Sequence, residues 1–174
     1  MSGYRSAPKS FRLHIGIFGR RNAGKSALLN MLTRQEVSIV SDVAGTTTDP
    51  VEKPMEMLPL GPVLFIDTAG VDDEGALGEL RVEKTRQVFD RTDLALLVCD
   101  RGRWETFEDQ LLDELGKRKI PVIVVFNKTD LAKPDAALLE RLERERIPWV
   151  MTAAIKQEGL EAVRDALIRT APED

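Results

Sequence analysis

The stretch Gly19–Ser26 has the residue types and the spacing that bind phosphate groups. Its order, Gly-x-x-x-x-Gly-Lys-Ser, follows an apolar run and leads into a helix-forming segment. The two glycines let the backbone approach phosphate oxygens, and N–H groups at the start of a helix attract anions. Lys25 is expected to reach the β- and γ-phosphates, and the Ser26 hydroxyl to bind Mg²⁺. The predicted nucleotide-binding residues of this loop are Gly19, Asn22, Ala23, Gly24, Lys25, Ser26 and Ala27. A glycine-rich turn that binds nothing is the alternative.

A second polar set, Asp67–Gly70, directly follows the apolar run 63–66. A carboxylate at the end of a buried strand can hold Mg²⁺ through its water shell, so Asp67 is a predicted metal residue. The backbone N–H of Gly70 can reach the γ-phosphate. An ordinary turn is the alternative, and it is weakened by the phosphate loop upstream.

A third set, Asn127–Asp130, follows the apolar run 122–126 and predicts recognition of a guanine base. Guanine presents N1–H and N2–H₂ side by side, which the carboxylate of Asp130 can accept, whereas adenine does not. The stem of Lys128 would lie along the ring, and Asn127 would brace neighbouring loops. A carboxylate left unpaired by the wrong base makes such a site selective. Backbone N–H groups of Thr152, Ala153 and Ala154 are expected to complete the base pocket.

The elements that must position these sets alternate along the chain. Hydrophobic patterning predicts strands at 11–18, 51–58, 63–66, 94–99, 122–126 and 147–151, and the second of these has the alternation of an edge strand. Helices are predicted at 24–34, 80–91, around 107–115, 135–145 and 157–169. Apolar strands between amphipathic helices predict a mostly parallel six-stranded sheet with helices on both faces, a three-layer αβα architecture. Ligands of such sheets lie beyond the carboxyl ends of the strands, where the polar sets should gather.

Composition indicates one soluble globular domain. The 174 residues are 43% hydrophobic and 31% charged, with a net charge of -4, which argues against nucleic acid or an anionic membrane as a partner. No apolar run approaches the roughly 18 residues of a membrane span, and residues 1–10 form a polar, flexible leader without the apolar core of a signal peptide. Cys99 is the single cysteine and is expected to be a buried strand residue. The absence of an internal disulfide fits a reducing cytoplasm.

Taken together, the motifs resemble the translation-factor-like class of small P-loop GTPases over residues 11–171. The resemblance implies the P-loop NTPase fold, GTP and GDP as ligands, Mg²⁺ as cofactor and slow intrinsic GTP hydrolysis. Residues 42–49 and 71–79 would be the two switch segments, which are released when the γ-phosphate is lost.

A narrower resemblance is to the TrmE-type branch, which includes tRNA-modification GTPases. Members use K⁺ beside the bridge between the β- and γ-phosphates, where it offsets developing negative charge. Carried over, the Asn22 side chain and carbonyls of residues 43–46 would bind K⁺, and Thr47 would meet Mg²⁺ and the γ-phosphate. For Asn22 the alternative is ordinary loop chemistry, since asparagine suits turns.

The residue that positions the attacking water is left open. Val71 stands where other small GTPases place a glutamine, and valine cannot polarise water. The TrmE-type resemblance implies that a glutamate deeper in the second switch segment has this role, and counting along the chain places it at Glu79. The predicted catalytic residues are therefore Lys25, Thr47 and Glu79. Other candidates for this role are Asp72, Asp73 and Glu74. The alternative is that these acidic residues form a solvated loop without a catalytic role.

The segments 19–26, 41–50 and 79–85 further resemble the HydF family of [FeFe]-hydrogenase maturation GTPases. Thr48 and Pro50 favour this family over the tRNA-modification type. The resemblance implies a molecular switch in assembly of the hydrogenase di-iron precursor, with hydrogenase maturases and the hydrogenase as partners of the full-length protein. A homodimer of G domains is a further expectation.

In that family a dimerisation domain and a domain that binds a [4Fe-4S] cluster follow the G domain. Cys99 and His14 are the only residues of their kinds here, so no Fe–S cluster is expected in this chain, which looks like an isolated domain cut near Pro172. Two other functions stay open. One is a tRNA-modification or ribosome-assembly GTPase, and the other is a nucleotide-binding switch with negligible turnover without a partner.

Overall fold

The computed structural model describes residues 13–20, 23–33, 51–57, 59–67 and 87–172. Its strands are β1 (Leu13–Gly19), β2 (Val51–Met57), β3 (Gly61–Asp67), β4 (Leu94–Asp100), β5 (Val122–Asn127) and β6 (Trp149–Met151). Its helices are α1 (Lys25–Thr33), α2 (residues 87–91), α3 (Thr106–Lys117), α4 (Ala136–Arg144) and α5 (Leu160–Thr170). A short 3₁₀ turn, Ala154–Lys156, follows β6.

The six strands form one sheet in the order β2-β3-β1-β4-β5-β6. All neighbouring pairs are parallel except β2 with β3, which is antiparallel and places β2 at one edge. The mostly parallel six-stranded sheet and the edge position of the second strand are therefore confirmed. Parallel neighbours bring the carboxyl ends of β1, β3, β4, β5 and β6 to one edge of the sheet, which is where the site is built.

Helices cover both faces of the sheet, because successive strand residues point to opposite sides. In β4 every residue is buried, and Leu94, Leu96 and Val98 belong to one apolar cluster with side chains of α1 and α5. The alternate residues Ala95, Leu97 and Cys99 belong to a second cluster with side chains of α2, α3 and α4. Two cores on opposite faces confirm the three-layer αβα fold.

Cys99 is a structural residue, as its position in the sequence predicts. It is fully buried, and burial raises the pKa of its thiol well above the ordinary value, with the nearby Glu108 carboxylate adding to the shift. A thiol that stays protonated is a poor nucleophile and a poor metal ligand. Cys99 therefore contributes packing rather than chemistry.

Three predicted element starts differ from the structure by two residues or more. Gly61 and Pro62 already belong to β3, and the turn that precedes them lies at residues 59–60. The last strand is Trp149–Met151 rather than 147–151. The final helix begins at Leu160 instead of 157, because Gln157 and Gly159 have left-handed backbones with φ 60° and 98°, which interrupt a helix.

Several predictions fall outside the described residues: the leader 1–10, the segment 42–49, the loop 71–79 and the first part of the predicted helix 80–91. In the part of the chain that the structure describes, no helix has the length and apolar character needed to cross a bilayer.

Candidate nucleotide-binding site

The phosphate loop turns tightly against the neighbouring strand. Gly19 ends β1 with φ 149°, and a Cβ on it would lie 2.5 Å from the carbonyl oxygen of Val98. Beyond the loop, the Leu28 N–H donates to the Gly24 carbonyl at 2.9 Å and forms the first turn of α1. The motif therefore has the strand–loop–helix geometry that its sequence predicts, with the helix N-terminus directed at the loop.

Lys25 lies over this loop rather than in solvent. Lys25 is only 4% exposed to solvent, and its Nζ donates to the carbonyl oxygens of Gly19 and Arg20, both at 2.8 Å. The Ala23 N–H also donates to the Arg20 carbonyl, at 3.1 Å. These bonds hold an ammonium group at the point where the loop would receive phosphate oxygens.

Ser26 and Asp67 come together although they are 41 residues apart in sequence. The Ser26 Oγ donates to Asp67 Oδ2 at 3.5 Å, and Asp67 is buried at the end of β3. A hydroxyl and a carboxylate are oxygen ligands of the kind that Mg²⁺ prefers, so this pair fits a magnesium site. Within the described residues no three His, Cys, Asp or Glu side chains cluster.

Asn127 joins the phosphate loop to the base-recognition loops. Its Nδ2 donates to the Ala23 carbonyl at 2.9 Å, across 104 residues of sequence. Its Oδ1 accepts from Thr152 Oγ1 at 2.9 Å and from the Ala154 N–H at 3.0 Å. The side chain is buried, so all these bonds form away from water, where an unsatisfied amide is costly. Asn127 thus braces neighbouring loops, as expected.

Gly24 is the position where this brace leaves no room for a side chain. A Cβ on Gly24 would overlap Asn127 Nδ2, and the φ of 97° already disfavours other residues. Gly24→Ala is therefore expected to displace Asn127, to lower the free energy of unfolding by about 2–4 kcal/mol and to weaken nucleotide binding. Chemical denaturation and titration with a fluorescent GDP analogue measure both effects.

Gly61→Ala is the matched control. Gly61 has a similar φ of 88°, but no heavy atom lies within 4 Å of a Cβ built there. This variant carries the backbone strain alone, about 1 kcal/mol, and should bind GDP like the wild type. Equal losses of stability and equal GDP affinity in the two alanine variants would contradict the steric explanation.

The residues predicted to read the base lie side by side in the turn after β5. Lys128 has a positive φ of 63°, and its Nζ lies 3.4 Å from Asp100 Oδ1 at the end of β4. Asp130 is partly exposed, and its Oδ2 lies 3.5 Å from Lys156 Nζ. Since Lys156 is mostly exposed, this ion pair contributes little and can yield to a ligand.

The backbone of the last pocket turn differs from the prediction. The N–H of Thr152 donates to the Phe126 carbonyl at 2.9 Å, that of Ala153 to the Glu158 carbonyl at 3.0 Å, and that of Ala154 to Asn127 Oδ1 at 3.0 Å. All three donors that were expected to face a base already have partners within the chain. Thr152 and Ala154 instead support Asn127, and any contact of this turn with a base stays a prediction.

The structure brings together Lys25, Ser26, Asp67 and Asn127, with Lys128 and Asp130 in the turn that follows Asn127. Four other predicted site residues lie outside the described part of the chain: Asn22, Thr47, Gly70 and Glu79. Sequence reasoning missed Asp100, which ends a buried strand as Asp67 does and carried the same signal. It also missed Arg20 and Glu108, whose pairing no local pattern indicates.

One edge of the sheet carries the phosphate loop, the Ser26–Asp67 pair of oxygen ligands and the Asn-Lys-x-Asp turn that Asn127 connects to the loop. These features define a P-loop GTPase domain. The family model described as "50S ribosome-binding GTPase" matches residues 14–128, and the chain belongs to this GTPase family.

Individual relatives agree with this assignment. The chain is 39% identical over 153 residues to the tRNA modification GTPase MnmE of Bacillus velezensis. The matched region covers 87% of this chain and 33% of that protein. It is 37% identical over 153 residues to GTPase Der of Wolinella succinogenes, covering 86% of the chain and 32% of the relative. The chain thus spans about a third of the length of these relatives.

A solved structure with a similar fold is that of Era from Aquifex aeolicus, in a single-substitution variant bound to GDP and AlF₄⁻. The TM-score is 0.74 at 28% sequence identity, and the match covers 92% of this chain and 57% of that one.

Proposed function

We propose that the chain is a Mg²⁺-dependent, K⁺-stimulated GTPase switch of the TrmE type. The observation that carries this proposal is the Asn127 brace, because one buried amide ties the phosphate loop to the turn that carries Asp130. Such a tie fixes the distance between the phosphate subsite and the base subsite, so a nucleotide that fills one also fills the other.

In the proposed mechanism this chain's residues position GTP and stabilise charge on the γ-phosphate. The Lys25 ammonium, already held at the loop, contacts the β- and γ-phosphate oxygens, while Ser26, Thr47 and Asp67 hold Mg²⁺ directly or through water. Mg²⁺, when bound, neutralises negative charge shared by those oxygens. Glu79 is proposed to orient the attacking water.

At the other end, Asp130 accepts the N1–H and N2–H₂ groups of guanine. The Lys128 ammonium is anchored by Asp100, and the lysine stem is proposed to cover the face of the ring. Gly70 is proposed to donate its N–H to the γ-phosphate, so that loss of this phosphate releases the switch segments.

The K⁺ requirement is tested by phosphate release from Mg²⁺·GTP in KCl and in NaCl at equal ionic strength. The wild type is expected to hydrolyse GTP at least about 10-fold faster in KCl, because a cation beside the β–γ bridge offsets charge in the transition state. Asn22→Ala is expected to remove this stimulation while it leaves the rate in NaCl unchanged.

Equal turnover of the wild type in both salts would eliminate the K⁺ site. GTP binding without phosphate release in either salt would support the alternative of a switch that needs a partner for turnover. Asn30→Ala is a suitable control, because Asn30 lies on α1 outside the phosphate loop and should retain the full response to K⁺.

Two cellular roles are proposed for this switch. The name of the MnmE relative, a tRNA modification GTPase, and the family description, a 50S ribosome-binding GTPase, support tRNA modification or ribosome assembly better than hydrogenase maturation. Hydrogenase maturation, with maturases and the hydrogenase as partners, is supported by Thr48, Pro50 and the segment 79–85 of the sequence. On either proposal, residues 11–171 are the G domain of a longer protein, preceded by the leader 1–10.

Binding to purified partners separates these roles. The chain loaded with a non-hydrolysable GTP analogue is tested against tRNA and ribosomal subunits, and against hydrogenase maturases and the hydrogenase. Nucleotide-dependent binding to RNA favours the first role, and nucleotide-dependent binding to the maturases favours the second. Sedimentation of the same samples tests the proposed homodimer of G domains.

A further inference from the structure

Arg20 and Glu108 form a buried ion pair that has no part in the nucleotide contacts described above. Arg20 Nε donates to Glu108 Oε2 at 2.7 Å, and the second guanidinium nitrogen, Nη2, donates to Oε1 at 3.0 Å. The Glu108 side chain is fully buried and that of Arg20 is 7% exposed. Two parallel bonds of this kind fix both the distance and the orientation of the partners.

The carboxylate is itself held rigidly at the start of α3. Glu108 Oε1 also accepts the backbone N–H of Glu105 at 2.8 Å, as part of a capping box at the first turn of this helix. The Arg20 guanidinium lies 5.0 Å from the centre of the Phe107 ring, which belongs to the same turn. The arginine therefore contacts the helix through an ion pair, hydrogen bonds and a cation–π interaction.

The backbone of Arg20 belongs to the phosphate loop. Its carbonyl oxygen accepts Lys25 Nζ at 2.8 Å and the Ala23 N–H at 3.1 Å. The residue whose side chain is fixed to α3 is thus the residue whose carbonyl fixes the ammonium group of Lys25.

We propose that the Arg20–Glu108 pair is a positioning device for the phosphate loop. By tying the second residue of the loop to α3, the pair holds the loop and Lys25 in the geometry that receives phosphate before the nucleotide arrives. This inference rests on the proposed function and adds two positioning residues, neither of which touches GTP. Binding gains affinity because the loop loses little freedom when the nucleotide binds.

Stability alone is a weak explanation for this pair. A buried ion pair costs much desolvation, and apolar side chains of similar volume serve stability as well or better. What apolar residues do not supply is a bidentate contact with one fixed orientation. A role in setting the geometry of the phosphate loop explains both why the pair is buried and why it joins this loop to α3.

The other end of α3 supplies a matched control. Arg118 Nε donates to Glu114 Oε2 at 2.9 Å, and Arg118 Nη1 to Asp90 Oδ1 at 2.6 Å. The Arg118 guanidinium also lies 5.0 Å from the centre of a phenylalanine ring, that of Phe89. The residue types are the same, but these side chains are more exposed than Arg20 and Glu108, and the cluster makes no contact with the phosphate loop among the described residues.

The test compares Glu108→Gln and Arg20→Lys with Glu114→Gln. Hydrogen exchange is first measured without nucleotide, on the peptide that contains the Ala23 and Leu28 amides. Exchange there is expected to be about 10-fold faster in Glu108→Gln and Arg20→Lys, since one charge-assisted contact is worth about that factor, and unchanged in Glu114→Gln. Mg²⁺·GDP affinity is then measured where circular dichroism shows every variant folded, and should fall about 10-fold in the same two variants.

Arg20→Lys keeps the positive charge and one bond, so it provides a folded variant if Glu108→Gln does not fold. Lower melting temperature with unchanged exchange and unchanged GDP affinity would overturn the proposal, because the pair would then serve stability only. Failure of the wild type to bind GDP would count against the proposed function instead. In that case the exchange of the nucleotide-free protein still decides whether the pair positions the loop.

Discussion

Lys25→Met is expected to weaken Mg²⁺·GTP binding by about 100-fold or more and to bring hydrolysis to background. In the wild type the ammonium group is held by the Gly19 and Arg20 carbonyls at the mouth of the loop. From there it would form charge-assisted hydrogen bonds to two phosphate groups, each worth about 1.5–3 kcal/mol. Two such bonds correspond to about 3 kcal/mol or more, or at least two factors of ten in affinity.

Isothermal titration with GTP and an assay of phosphate release measure this effect. Methionine is chosen because it has a similar length and suits the buried position, so the variant is expected to fold. Lys133→Ala, at an exposed lysine, is the control and should match the wild type in both assays. Affinity within a few-fold of the wild type in Lys25→Met would contradict the assigned role of the phosphate loop.

Asp130→Asn is expected to change base specificity rather than to abolish binding. The amide keeps one acceptor, which can take the N1–H, but it replaces the second acceptor with a donor that repels the N2–H₂ group of guanine. Xanthine carries a carbonyl oxygen in place of that amino group, and the new donor can bind it. GTP affinity should fall about 100-fold or more while XTP affinity rises by a similar factor, because the wrong base leaves polar groups of the complex without hydrogen-bond partners.

Competition of GTP and XTP for the two proteins measures this change directly. The Asp130→Asn variant also loses the exposed Lys156 ion pair, which contributes less than about 1 kcal/mol and should not change stability noticeably. Asp165→Asn, at an exposed position on α5, tests for any effect of removing a charge as such. Unchanged preference for GTP in Asp130→Asn would mean that another group reads the base.

Two features of this chain could be predicted from local residues because their physical causes are local. The order of residues at Gly19–Ser26 is sufficient for a strand–loop–helix turn, since glycine conformations and the start of a helix depend on near neighbours. The apolar runs at 94–99 and 122–126 likewise indicate strands buried on both faces, and the structure confirms them. Boundaries were less well predicted: helical spacing suggested that the final helix begins at residue 157, but left-handed backbones at Gln157 and Gly159 delay its start to Leu160.

The fold class, the GTPase motifs and the edge of the sheet at which they gather follow from the order of residues alone. How the motifs connect is visible only in the tertiary structure: Asn127 bonds to the phosphate loop across 104 residues, and the Thr152–Ala154 donors are used within the chain. It alone also paired Arg20 with Glu108, 88 residues apart. The physical reason is that local conformational preferences are encoded by adjacent residues, whereas hydrogen bonds between distant segments depend on which strands the folded sheet places side by side.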